Sequence, residues 1–199
     1  MLANLITLLR VPLLSLIVLL LYASSATAQF IATPLIVLLI LMDTLDGFLA
    51  RSRDEETLVG SVLDIAADRA VEYVLWVVFA HLRLIPILIP ILFLVRGTFV
   101  DAIRSMAPAQ DLKPFELMRT DLGRFLVGSP WLRSPYAIIK AAAFTLLAVV
   151  KGLDAAGHPL YVFVNDAAQV TAWIALGFCL LRGVPVLIEG SRALQEQDA

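Results

Sequence analysis

Four aspartates, Asp43, Asp46, Asp64 and Asp68, fall close together in a chain that is otherwise rich in Leu, Val, Ile and Ala. On a helix, residues three and four apart share a face. Asp43, Asp46, Gly47, Ala50 and Arg51 therefore form one stripe, and Gly60, Asp64 and Asp68 step by four along a second. Only the short charged stretch SRDEET parts the two stripes, so their helices are expected to be antiparallel neighbours with the stripes facing each other. Carboxylates gathered in a low-dielectric place cannot all stay ionised without cations. Hard divalent ions with oxygen ligands, Mg²⁺ or Mn²⁺, answer that demand best. Two of them about 4 Å apart can hold a diphosphate and stabilise charge during displacement at phosphorus. The low profile of Gly47, Ala50 and Gly60 leaves room for a flat ligand beside the ions.

Plainer accounts exist for the parts. A single intramembrane Asp can bond one helix to another, and small residues at a spacing of four are ordinary packing positions. Asp54, Glu55 and Glu56 make a solvated turn. Four acids on two adjoining stripes go beyond this, because such groups are costly in lipid.

The elements that must hold these residues are membrane helices. The chain of 199 residues is 60% hydrophobic and 16% charged, whereas a soluble domain is about half apolar and a quarter charged. A membrane helix needs roughly 20 mainly apolar residues. Six stretches qualify: Leu5 to Ala23, Phe30 to Ala50, Leu58 to Ala80, Leu84 to Arg104, Tyr136 to Val150 and Val170 to Ile188, the fifth extendable by a turn at either end. The expected fold is all-α, six transmembrane helices in one bundle, with residues 1–199 a single domain. The apolar run before Ala26-Thr27-Ala28 resembles a cleaved signal, but Arg10 is the only early positive charge and Pro12 stands inside the run, so it is read as the first span. Residues 105–134 mix Pro, Gly and charge with Phe, Leu and Trp, and are expected to hug the surface as an amphipathic segment.

Basic residues set the orientation. With six spans, Arg10, Arg51, Arg53, Arg104, Lys113, Arg119, Arg124, Arg133 and Arg192 gather on one side, against Arg83 and Lys151 on the other. By the positive-inside rule both termini and the aspartates lie at the cytoplasm. The single cysteine, Cys179, excludes a disulfide within the chain, and His81 and His158 have no partner suited to zinc. The net charge of −2 points to no particular partner, and no nucleic acid is expected.

Asp43-x-x-Asp46-Gly47-x-x-Ala50-Arg51, eight residues, then Gly60-x-x-x-Asp64-x-x-x-Asp68 resembles the signature of the CDP-alcohol phosphatidyltransferases, with every fixed position filled. NLITLLRVP near the start is similar to the Asn-x-x-Thr-x-x-Arg opening of bacterial members. The resemblance implies a six-helix bundle, commonly a homodimer, in the bacterial cytoplasmic membrane, with a polar cavity open to the cytoplasm. There a hydroxyl attacks the β-phosphorus of a CDP-linked lipid such as CDP-diacylglycerol and expels CMP. It implies that Asp43, Asp46, Asp64 and Asp68 hold two Mg²⁺ or Mn²⁺ ions, with Asp68 also the general base. An alcohol is a poor nucleophile until a positioned base takes its proton. Gly47, Ala50, Arg51 and Gly60 would shape the CDP-lipid site, and Thr7 and Arg10 would line the cavity, although Arg10 also reads as a simple cytoplasmic anchor.

The acceptor alcohol is harder to read. Arg96 and Arg104 are eight residues apart on one helix face, and Lys140 opens the fifth apolar stretch. The trio could grip a phosphate, and it is similar to the Arg, Arg and Lys of phosphatidylglycerophosphate synthases, which favours glycerol 3-phosphate. Those enzymes usually have Arg-Glu where this chain has Arg96-Gly97, and the long 105–134 connection is unusual, so inositol phosphate stays open as the acceptor. Arg104 could instead pair with Asp101, and Arg96 could snorkel to the interface. A cation transporter also gathers intramembrane carboxylates, but transporters often show helix breaks or repeated halves at the midplane.

Overall fold

The computed structural model describes residues 2–52, 58–106 and 120–195, and among these all regular structure is helical. Seven helices follow one another: α1 Leu2–Tyr22, α2 Ala26–Ser52, α3 Leu58–His81, α4 Leu88–Met106, α5 Asp121–Gly128, α6 Pro130–Ala156 and α7 Tyr161–Gln195. Six correspond to the six apolar stretches. Among the described residues three helices are long and apolar enough to cross a membrane, within α2, α6 and α7, and α1 contributes a shorter apolar run, Thr7–Tyr22. In α3 and α4 the apolar residues are interrupted by charge, at Asp64, Asp68, Arg69 and Glu72 and at Arg96, Asp101 and Arg104. Large apolar side chains such as Leu19, Ile87, Val162 and Phe163 stand exposed, which suits contact with lipid tails rather than water.

Helix ends differ from the sequence expectation where local chemistry explains them. Residues 26–28, the would-be cleavage site, open α2. α4 starts four residues late because α3 closes through Arg83, whose φ of 60° lies in the left-handed region. The bonds Leu84 N to Phe79 O (3.0 Å) and Arg83 N to Ala80 O (2.9 Å) complete that closure. α6 ends the same way at Gly157, φ 59°, with His158 N donating to Leu153 O. Only there does the position suit its residue. α7 begins nine residues early, since 161–169 contain neither Gly nor Pro, and Gln169 donates to the Leu84 carbonyl.

The chain forms two compact units: Met1–Ile87 with Ala141–Val170, and Leu88–Lys140 with Thr171–Ala199. In the first, α1 packs on α2 and α3, and Trp76 and Phe79 meet Phe144 at ring distances of 4.6 and 6.2 Å. Tyr22 and His81 join the ends of α1 and α3 through a 2.7 Å hydrogen bond. In the second, Val100, Val127 and Val186 form a buried cluster flanked by Ile103 and Leu187.

Candidate active site

The first unit gathers acids around one buried cation. Arg10 is 1% exposed, although it stands in the middle of α1. Its Nη1 lies 2.7 Å from Asp43 Oδ1 and 3.7 Å from Asp64 Oδ1, and its Nη2 lies 4.0 Å from Asp68 Oδ1. The contact with Asp43 is an ion pair by distance without the alignment of a hydrogen bond. Asp43 ends the apolar part of α2, whereas Asp64 and Asp68 are one turn apart on α3. Their side chains are 40–46% exposed, so the acids open outward while Arg10 sits beneath them. Thr7, also buried, lies one turn before Arg10 on α1. The facing stripes inferred from spacing are thus present for Asp43, Asp64 and Asp68. Gly60 lies in the first turn of α3. The side chains of Asp46, Gly47, Ala50 and Arg51 lie outside the described residues, and only their place on α2 is known.

The donor chemistry suits a divalent ion. Three carboxylates from two helices converge on one positive charge, and oxygen donors are what Mg²⁺ and Mn²⁺ take. Among the described residues no group of three or more acids, His or Cys closes to metal-binding distance, and Asp46 is not among them. The neighbouring charges Arg69 and Glu72 answer each other at 2.8 Å, with Glu72 buried.

The second unit gathers cations. Arg96 on α4 is 8% exposed, and its buried Nε has no hydrogen-bond partner among the described residues. Its side chain lies against α7 at Gly183, where an added Cβ would come within 2.5 Å of Nε. The preceding residue, Arg182, is 9% exposed and donates to the carbonyls of Leu126 (3.3 Å) and Val127 (3.1 Å). Its guanidinium also lies over the Tyr136 ring at 5.5 Å, and Lys140 Nζ lies over the same ring at 5.6 Å. The Arg104 side chain lies outside the described residues. Sequence reading overlooked Arg182, although an arginine inside the apolar run FCLLRGVPVLI signals a functional cation.

An acid-rich helix pair around a buried arginine thus stands in an all-α protein with apolar helices. The family model of the CDP-alcohol phosphatidyltransferases matches residues 1–181, and the chain belongs to that family. It is therefore an enzyme, a phosphotransferase for substituted phosphate groups, acting in phospholipid biosynthesis. The family moves a phosphatidyl group from a CDP-linked lipid to an alcohol and generally depends on a divalent metal. Family membership decides against the cation transporter. No curated protein matches the chain.

Proposed function

We propose that the enzyme transfers a phosphatidyl group from CDP-diacylglycerol to glycerol 3-phosphate, releasing CMP. The observation that carries the site is the convergence of Asp43, Asp64 and Asp68 on Arg10. In this reading Asp43, Asp46 and Asp64, with Asp68 beside them, hold two Mg²⁺ or Mn²⁺ ions. When bound, the ions neutralise the diphosphate and the charge that develops at phosphorus. Gly47, Ala50, Arg51 and Gly60 bound the cytidine diphosphate, with Arg51 suited to its phosphate oxygens.

Asp68 takes the proton of the acceptor hydroxyl. The new oxygen–phosphorus bond forms at the β-phosphorus as the bond to CMP breaks. Asp68 is the base rather than a pure ligand because its pair with Arg10, at 4.0 Å, is the loosest of the three. A carboxylate held less firmly is freer to swing toward the acceptor hydroxyl.

The basic cluster supports a phosphorylated acceptor. Arg96 is a buried cation with an unanswered donor packed at Gly183, the residue after Arg182, and Arg182 shares the Tyr136 ring with Lys140. Buried donors call for acceptors, and a phosphate supplies several. Arg104 completes the set in this proposal. Inositol phosphate, with the same anionic group, is the second reading.

Six membrane-crossing helices in one functional domain, a homodimer in the bacterial cytoplasmic membrane, and cytoplasmic termini and cavity complete the proposal. Labelling from either side of the membrane tests the orientation. Ser52→Cys should react with an impermeant thiol reagent from the cytoplasmic side and Ala155→Cys from the other. Native Cys179, being buried, gives little background.

The decisive experiment is CMP release from CDP-diacylglycerol by purified protein, with Mg²⁺ or Mn²⁺ and a panel of acceptors. Glycerol 3-phosphate should support metal-dependent release. Turnover with serine or free inositol, and none with a phosphorylated alcohol, would refute the acceptor.

A further inference from the structure

α5 is eight residues long, and helices so short do not hold together alone in water. Its orphan backbone groups are satisfied from two sources. Thr120 caps the N-terminus, its Oγ1 accepting from Gly123 N at 3.0 Å. At the other end Ser129 N donates to Phe125 O at 3.1 Å. Further bonds come from α7. Glu189 accepts from Thr120 N (3.1 Å) and Thr120 Oγ1 (2.5 Å), and Arg182 donates to the last-turn carbonyls of Leu126 and Val127.

The spacing and the signs agree. Residues 182 and 189 lie two turns apart on one face of α7, about 10.5 Å along its axis, and α5 is about 12 Å long. The acid meets the positive end of the α5 dipole and the guanidinium meets the negative end. Val127 adds an apolar fastening against Val100 and Val186. Gly123 permits the close approach, because a Cβ there would lie 2.6 Å from Glu189 Oε1.

Arg182 therefore has two engagements. One side holds α5, and the guanidinium lies over Tyr136, whose ring Lys140 shares. We infer that α5 is a strap latched to α7 by Glu189, and that its seating fixes the position of Arg182 and thereby the affinity for the acceptor's phosphate. This rests on the reading of the basic cluster as the acceptor site. Glu189 is a positioning residue, two helical turns from the guanidinium it governs.

The test compares Glu189→Gln and Gly123→Ala with Arg96→Gln and Lys140→Gln in the full-length protein. It reads hydrogen exchange over residues 121–128, KM for each substrate, and the Ki of inorganic phosphate against glycerol 3-phosphate. Both latch variants should exchange faster and raise the acceptor KM and the phosphate Ki ~3–10-fold, the range of energetic coupling between linked sites. KM for CDP-diacylglycerol and the saturated kcat should stay near wild type. Glu189→Asp, which keeps the charge, should recover part of the affinity that Glu189→Gln loses. Unchanged exchange would remove the latch. Faster exchange with unchanged acceptor KM and Ki would remove its link to Arg182, and an equal rise in both KM values would mean a general loss of structure. If Arg96→Gln and Lys140→Gln raise the acceptor KM while the latch variants do not, the strap alone is wrong. If none of the four does, the acceptor reading has failed and the strap's role falls with it.

Discussion

Each unit buries an arginine, and the two are treated in opposite ways. Arg10 in the first unit is surrounded by carboxylates from two helices, at 2.7, 3.7 and 4.0 Å. Arg96 in the second is also buried, but no carboxylate among the described residues pairs with it, and Arg182 of the same unit is held by carbonyls and an aromatic ring. A buried charge is tolerable when paired and costly when it is not. The first region is acid-rich with a cation enclosed, which prepares it for additional positive charge. The second is cation-rich with neutral supports, which reserves its charge for an anion arriving from outside. On the proposed reading, one region would serve a metal-bound diphosphate and the other a phosphorylated alcohol.

Removing an acid from the first region is expected to have the largest effect. Asp64→Asn should reduce CMP release to background and weaken Mn²⁺ binding, measured by electron paramagnetic resonance, while the protein remains folded. Asp68→Asn should lower kcat by roughly 10²–10⁴, the worth of general-base help, and leave CDP-lipid binding intact. Full activity in both variants would erase the contrast between the regions.

Neutralising the second region should be milder and selective. Arg96→Gln removes one charge-assisted contact, worth about 1.5–3 kcal/mol, so the acceptor KM should rise roughly tenfold or more with the CDP-lipid KM nearly unchanged. Equal losses for both substrates would show that the basic cluster serves the diphosphate instead.

Arg10→Ala sharpens the comparison through stability. Its partners are 40–46% exposed, so the loss should lie near the upper end for solvent-screened ion pairs, about 1 kcal/mol. Mn²⁺ should restore most of it, because a divalent ion meets the same carboxylates. Thermal unfolding with and without Mn²⁺ reads this, and an identical metal response in wild type and variant would contradict it. The smallest effect is expected for Gly183→Ala, which presses a methyl group on the flexible Arg96 side chain. The acceptor KM should increase by less than in Arg96→Gln.

The sequence foretold the helices better than their ends. Apolar runs bounded by turns gave six segments because lipid permits few alternatives. α7 overran its expected start because Asn165, Asp166 and Gln169 interrupt the apolar run without breaking a helix, and hydropathy cannot see that difference. α5 went unrecognised as a helix because its stability comes from Glu189 and Arg182, some 60 residues away in the chain. Among the proposed site residues, the shared face of Asp64 and Asp68 was readable because i, i+4 spacing survives folding unchanged. Arg10 was named, but its burial was not foreseen, since an arginine near a terminus reads equally well as an interfacial anchor. Arg182 was missed for the opposite reason. Its neighbours are so apolar that it was absorbed into a span.

Arg10 also bears on how the protein is made. It is the ninth residue of α1, and the acids that enclose it are synthesised 33 to 58 residues later, on α2 and α3. Arg10 is the fourth residue of the apolar run Thr7–Tyr22, so it hinders insertion by less than the cost of an arginine at a helix centre, about 2.5–3.5 kcal/mol. At translation rates of about 5–20 residues per second, Arg10 waits roughly 3–12 seconds for its last partner. On the proposed six-span reading α1 is a weak anchor during that interval, and the first three helices are expected to settle into the bilayer as a group.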